Sequence, residues 1–234
     1  MRGDEANAAP LLRESLERFA RIHDIAGEAS AHQWIGVLGI TSGDLASAAN
    51  HFNESLARWR RLENTQMTAM DLGNLGESRH IAGSLDEAEA LYREALVLHE
   101  GLGDPMGQGV VLGLLGRLAF DRGDATLAIH LQLDALRLCW ESGDRAGAAD
   151  ALDALAEAVL PQGDQAWAAE ILHASDRIRA ETGIRRTSHY ALRYARVRDA
   201  LDVEALAEPF DIEVTIRKAV AHAAPQRDYL PGRR

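Results

Sequence analysis

The order of apolar and polar residues between positions 103 and 143 has a helical period. Apolar side chains recur three and four positions apart, and Asp104-Pro105 is a strong helix start. Gly123-Asp124 ends this helix and caps the next one. The apolar faces of the two predicted helices consist of Val111, Leu112, Leu115, Ala119 and Phe120, and then of Ala128, Leu131, Ala135, Leu136 and Cys139.

The same pattern returns every 40 residues. Glycine stands at positions 3, 43, 83, 123 and 163, alanine stands five residues after each glycine, and a small residue stands twelve residues after it. Self-similarity at a fixed spacing is typical of stacked repeat proteins. The sequence therefore predicts an all-α chain that breaks at Gly43, Gly83, Gly123 and Gly163. One domain over 1–224 would contain units near 3–42, 43–82, 83–122, 123–162 and 163–202, then a capping helix over 208–223, before a disordered tail over 225–234.

Small residues recur at equivalent positions of the first helix of each pair. These are Gly36, Gly76, Gly116 and Ala156. Small side chains at a helix crossing let two helices approach closely while neighbouring leucines fill the space around them. We expect each of these positions to face the second helix of its pair.

On these residues the chain resembles the tetratricopeptide repeat (TPR) family. The resemblance covers about residues 4 to 202, although the usual unit is about 34 residues and here it is 40. It implies a right-handed superhelical solenoid of antiparallel helix pairs whose role is protein binding. The positions that carry it are Leu115-Gly116, Ala119, Gly123, Ala128 and Ala135, with the parallel set Leu75-Gly76, Gly83, Ala88, Tyr92 and Ala95.

The last unit is similar to the closing segment of the repeat region in LuxR-type and antibiotic-regulator ATPases of bacteria. This resemblance implies the sensor or scaffold region of a transcriptional or signalling regulator. The family's tryptophan-glycine segment and helix-turn-helix are missing here, and a free-standing adaptor that bridges two proteins is the alternative. The matching residues are Gly163-Asp164, Ala168 to Leu172, Ile178-Arg179, Thr182-Gly183 and Tyr190, with a closing helix over Asp211 to Ala223.

Composition excludes several other classes of function. A net charge of −11 disfavours direct binding to nucleic acid, and no apolar run is long enough to cross a membrane. The lone Cys139 excludes an internal disulfide and suits a reducing cytoplasm. No phosphate-binding loop, His-Glu-x-x-His or Gly-x-Ser-x-Gly motif occurs, so we expect neither an enzyme nor a cofactor or metal site.

The remaining candidate is a mixed-charge groove lined by the first helix of each pair. Asp150, Asp153 and Glu157 are three and four apart and would share one helical stripe, and Arg117 would pair with Asp121. Such a groove would receive a basic or polar segment of a protein or peptide, whereas the alternative is a solvated helix face. The full set is Gln33, Glu77, His80, Arg117, Asp121, Asp150, Asp153, Glu157, Tyr190 and Arg193.

The two ends of the array differ from its middle. Gly3-Asp4 matches the middle of a unit, so the chain begins with a second-type helix that exposes Leu11, Leu12, Leu16 and Phe19. Either the chain is the C-terminal piece of a longer array, or this face docks on another molecule or supports weak self-association, unless the pair over 25–59 covers it. In the last unit Asp176 replaces the leucine of earlier units, which suits a capping repeat whose outer face meets water.

Overall fold

The computed structural model describes residues 2–186, 188–201 and 212–222, and every regular element in these ranges is helical. A short 3-10 turn, Leu160–Gln162, follows α8. The helical-repeat prediction is confirmed, and the tail predicted over 225–234 lies outside the described residues. The helices are α1 (Arg2–Arg21), α2 (Ile25–Ser42), α3 (Leu45–Arg61), α4 (Thr65–Ile81), α5 (Leu85–Leu102), α6 (Pro105–Asp121), α7 (Ala125–Ser142), α8 (Arg145–Val159), α9 (Gln165–Thr182), α10 (Ser188–Ala200) and α11 (Ile212–His222).

The turns show that the 40-residue repeat is built from two 20-residue helical modules. A residue with positive φ stands at every twentieth position from 23 to 183, which includes the predicted breaks at Gly43, Gly83, Gly123 and Gly163. Seven of the nine residues are glycine, which adopts this conformation without a steric penalty, and the other two are His23 and Glu63. Module boundaries therefore follow from backbone geometry that glycine tolerates best.

Helix capping follows the same interval. The residue after each positive-φ position from 23 to 163 lies at a helix N-terminus, and at Asp24, Asp44, Asp124 and Asp164 its side chain accepts a hydrogen bond from the amide three residues later. Such caps satisfy amides that the helix leaves unpaired, and each stabilises by about 1 kcal/mol. Glycine followed by aspartate thus encodes the end of one helix and the start of the next.

The chain divides into two compact units, each of which contains several repeat units. Unit 1, residues 1–104, contains α1 to α5, and each helix packs against the next. The small residues at the crossings lie against aromatic rings. A Cβ atom added at Gly36 would lie 2.7 Å from the Phe52 ring, and one added at Gly76 would lie 2.6 Å from the Tyr92 ring. Both rings are fully buried. The crossings in this unit therefore depend on glycine, as predicted.

Unit 2, residues 105–234, contains α6 to α11. Helices α6 to α9 pack in sequence, and α11 packs against α7 and α9 through the buried side chains of Thr215, Ile216 and Ala219. At the crossing of α6 and α7, a Cβ atom on Gly116 would lie 2.5 Å from the amide nitrogen of Gln132. Helix α10 is different, because its main backbone neighbour is α8. The prediction of one continuous domain over 1–224 stays a prediction.

Candidate protein-binding surface

Five acidic residues of unit 2 form what we call the acidic surface: Asp121 at the end of α6, Asp150, Asp153 and Glu157 on α8, and Asp176 on α9. The stripe on α8 is graded in exposure. The Asp150 side chain is 50% exposed, that of Glu157 is 16% exposed and that of Asp153 is only 6% exposed. A buried carboxylate requires a cation or several hydrogen bonds, so the stripe is not a uniformly solvated helix face.

Two arginines neutralise Asp153. An Nη of Arg179 donates to Oδ2 at 2.9 Å, and Arg186 donates through Nε and Nη2 to Oδ2 and Oδ1 at 2.8 and 2.9 Å. The side chain of Arg179 is as buried as its partner, at 6% exposure. Paired guanidinium donors of this kind bind a carboxylate more strongly and more specifically than a single ammonium group.

A second arginine site joins α6 and α8. Nε of Arg193 donates to both oxygens of Glu157 at 2.9 Å, and its two terminal nitrogens donate to the two oxygens of Asp121 at 2.8 Å. Burial alone would lower the pKa of Arg193, but its hydrogen bonds to Asp121 and Glu157 and their charges outweigh burial and raise the pKa. The guanidinium group is therefore held as a cation between two helices.

Aromatic rings complete the surface. The Arg117 guanidinium lies 4.0 Å from the centre of the Tyr190 ring, and its Nη2 donates to the backbone oxygen of Asp150 at 2.8 Å. The Arg186 guanidinium lies 3.4 Å from the centre of the Tyr194 ring. The Tyr194 hydroxyl donates to Asp176, whose carboxylate also accepts from Arg186. Stacked cations of this kind are worth about 0.5–2 kcal/mol each.

The structure thus places seven of the ten predicted groove residues in a network of two clusters that share α8 and α10, but with different partners from those expected. Asp121 pairs with Arg193 rather than with Arg117. Asp176, predicted to face water in a capping unit, has a side chain that is 38% exposed and also binds Arg186 and Tyr194. The network members among the predicted residues are Arg117, Asp121, Asp150, Asp153, Glu157, Tyr190 and Arg193.

Sequence reasoning missed two of the arginines, Arg179 and Arg186. Arg179 occupies the position equivalent to Trp59, His99 and Cys139, all of which are buried. Asp153 correspondingly occupies the position of Gly73 and Gly113 in two earlier repeats. Arg179 at an otherwise apolar position and Asp153 at an otherwise small one together indicate a buried ion pair. Nothing in the repeat pattern distinguishes Arg186.

The other three predicted groove residues belong to unit 1. Gln33 is buried, and its amide nitrogen contacts the Met70 sulfur at 3.2 Å. His80 is buried, with Nδ1 3.4 Å from the Tyr92 hydroxyl, and Glu77 is half-buried. Gln33 and His80 are therefore largely core residues, and a binding role for the three stays a prediction.

Unit 1 also contains a buried carboxylate that the sequence analysis did not single out. Asp71 is fully buried, and neither of its oxygens has a hydrogen-bond partner. Burial raises its pKa to about 6, although the nearby polar groups of Ser55, Gln33 and Asn74 act in the opposite direction. An unpaired buried charge destabilises a fold, so ionisation of Asp71 lowers the stability of unit 1.

The predicted docking face on α1 is partly covered. Leu12, Leu16 and Phe19 are half-buried, and the Phe19 ring lies directly over Gly27 of α2. Leu11 is 62% exposed. Helix α2 thus covers part of this face, and Leu11 remains available to solvent.

Comparison with known proteins finds one repeat family over part of the chain. The family model for the tetratricopeptide repeat matches residues 27–100. The whole fold is similar to the crystal structure of BtubC (BKLC) from P. vanneervenii, with a TM-score of 0.65 and 18% identity over 98% of this chain and 95% of that one. At this identity the likeness concerns the fold alone. No curated protein sequence matches the chain.

Two features of the described residues bear on other functions. No group of three or more histidine, cysteine, aspartate or glutamate side chains in this part of the chain could hold a metal ion. None of the described helices is both long and apolar enough to cross a bilayer. Tetratricopeptide repeats generally mediate contacts between proteins, and the match to their family model lies within unit 1.

Proposed function

We propose that the protein is a non-enzymatic protein-binding module whose acidic surface receives an arginine-bearing segment of a partner. One observation supports this most directly: five carboxylates from three helices converge where they bind guanidinium groups in multiple hydrogen bonds. Surfaces that fix a planar cation by several oxygens select arginine over lysine. The partner is therefore a basic protein or peptide.

The wider role we propose is the repeat region of a bacterial transcriptional or signalling regulator in the cytoplasm. The support for it is the likeness of the last unit to that of LuxR-type regulators. The alternative is an adaptor that bridges two proteins. An ATPase segment encoded in frame upstream would favour the regulator, whereas simultaneous retention of two different proteins by the chain would favour the adaptor.

Affinity capture with matched variants tests the binding role. The chain is immobilised as wild type, as the surface variant Asp121→Asn/Glu157→Gln, and as the control Glu141→Gln/Glu181→Gln. The control makes the same change in charge at exposed ion pairs on α7 and α9. Wild type and control should retain the same basic proteins, and the surface variant should lose them. Retention of the same proteins by all three chains, or of none by wild type, would contradict the proposal.

A further inference from the structure

Helix α10 and the residues before it already lie on the acidic surface. Arg186, Tyr190, Arg193 and Tyr194 make its contacts with α6, α8 and α9, and residues 121 and 193 meet across 72 positions of sequence. Tyr190, Arg193 and Tyr194 are spaced three and four apart, so one side of α10 carries them all. The surface is therefore filled by a segment with the chemistry that the proposed partner would need.

The way in which α10 is held differs from the rest of unit 2. Helix α9 buries Ile171, Leu172 and Ile178 in the core, whereas from α10 to residue 201 the buried apolar side chains are Val197 and Leu201. Leu192, in the middle of α10, is 68% exposed. Helix α10 lies against α8 instead of packing extensively on α9, the helix that precedes it. Among the described residues, the contacts that hold α10 are therefore mainly ion pairs and stacked rings.

The acidic surface would survive the departure of α10. Asp153, its most buried carboxylate, keeps its pair with Arg179, which belongs to α9. Glu157 and Asp121 lie nearer to solvent, with side chains 16% and 31% exposed, and would become hydrated. Loss of α10 thus leaves no carboxylate of this surface both buried and unpaired, which is the arrangement that would be most costly.

We infer that residues 184–186 and 188–201 are an intramolecular occupant of the acidic surface, and that a partner helix bearing arginine and tyrosine at the same spacing must replace them to bind. This inference rests on the proposed function. A segment tethered beside its site has an effective concentration of about millimolar for short flexible linkers, so it lowers the apparent affinity of any competing segment. The chain would bind its partner only when the partner outcompetes α10.

The test measures the anisotropy of a fluorescein-labelled synthetic peptide of residues 184–201 titrated with full-length chains. The release variant Arg186→Gln/Arg193→Gln removes both guanidinium groups from the tethered segment. The control Arg177→Gln changes an exposed arginine of α9 that pairs with Glu181. The release variant should bind the peptide at least about tenfold more tightly than wild type, because the tethered competitor is weakened. The control should bind as wild type does.

A further chain separates the two hypotheses. Adding Asp121→Asn/Glu157→Gln to the release variant should abolish binding. Equal, tight binding by wild type and release variant would overturn the inference and leave the proposed function standing. Absence of binding to every chain would contradict both. If the release variant fails to fold, Tyr190→Ala/Tyr194→Phe weakens the segment from its aromatic side, and the same tenfold gain over wild type is expected.

Discussion

Replacing Asp71 by asparagine should stabilise the protein near neutral pH. The carboxylate is fully buried without a hydrogen-bond partner, and asparagine has nearly the shape of the protonated acid without its ability to ionise. Burial raises the pKa of Asp71 from 3.8 to about 6. Because one pKa unit corresponds to about 1.4 kcal/mol, the ionised carboxylate lowers the free energy of unfolding by about 3 kcal/mol at pH 7.

The raised pKa of Asp71 determines how the stability difference changes with pH. Between pH 3.8 and about 6 the folded chain binds more protons than the unfolded chain, so the contribution of Asp71 to stability falls as the pH rises. The advantage of Asp71→Asn should therefore be largest above pH 6. It should shrink to about 1 kcal/mol at pH 4.5, where the folded carboxyl group is mostly protonated.

Urea unfolding of wild type and variant at intervals between pH 4.5 and 8 measures this difference directly. Glu14→Gln is the matched control, because Glu14 is an exposed member of an ion pair with Arg18 on α1. Its effect should stay below about 1 kcal/mol at every pH. An asparagine variant less stable than wild type at pH 7, or a stability difference independent of pH, would refute the assignment of Asp71 as an unpaired buried charge.

The remaining predictions concern the helix crossings, the turns and the exposed end. Gly73→Ala should stabilise the protein by about 0.5–1 kcal/mol, because an added Cβ atom meets nothing within 4 Å. Gly76→Ala in the same helix should destabilise it by about 1–3 kcal/mol, because the Cβ atom would collide with the Tyr92 ring. Thermal unfolding of the two variants compares these effects. Glu63→Gly should stabilise the protein by about 0.5–1 kcal/mol, because glycine adopts a φ of 53° without strain. Gly83→Ala should destabilise it by a similar amount, because alanine would be strained at a φ of 86°. Equal effects of the two substitutions in chemical unfolding would contradict this. Leu11→Glu should abolish any weak self-association in sedimentation equilibrium, and a wild-type chain that is monomeric at millimolar concentration would refute that role.

The repeat could be predicted from the sequence because its signals are local. Glycine at a positive-φ turn and aspartate at the following helix start act within a few residues, so they mark helix ends wherever the chain goes next. The twenty-residue interval is harder to recognise in the sequence, because two of its positive-φ positions are His23 and Glu63 rather than glycine. Only the backbone conformation shows that they are equivalent to the glycine turns.

The acidic surface could be predicted only in part. The spacing of Asp150, Asp153 and Glu157 correctly places them on one side of α8, since helical spacing is a local property. The partners of these residues depend on contacts such as that between Arg193 and Asp121, which are distant in sequence. The course of α10 determines those contacts, and the local repeat signals of the last unit, 163–202, do not specify that course.

Hydrogen–deuterium exchange of the unmodified chain tests the central claim most directly. If α10 is held on the acidic surface by ion pairs and can leave without unfolding the repeats, its amides should exchange through a local opening. We predict that amides of residues 188–200 exchange at least tenfold faster than those of α7 and α9 under native conditions, a difference of about 1.4 kcal/mol or more in opening free energy. Exchange of α10 at the same rate as α7 and α9, only with global unfolding, would contradict it.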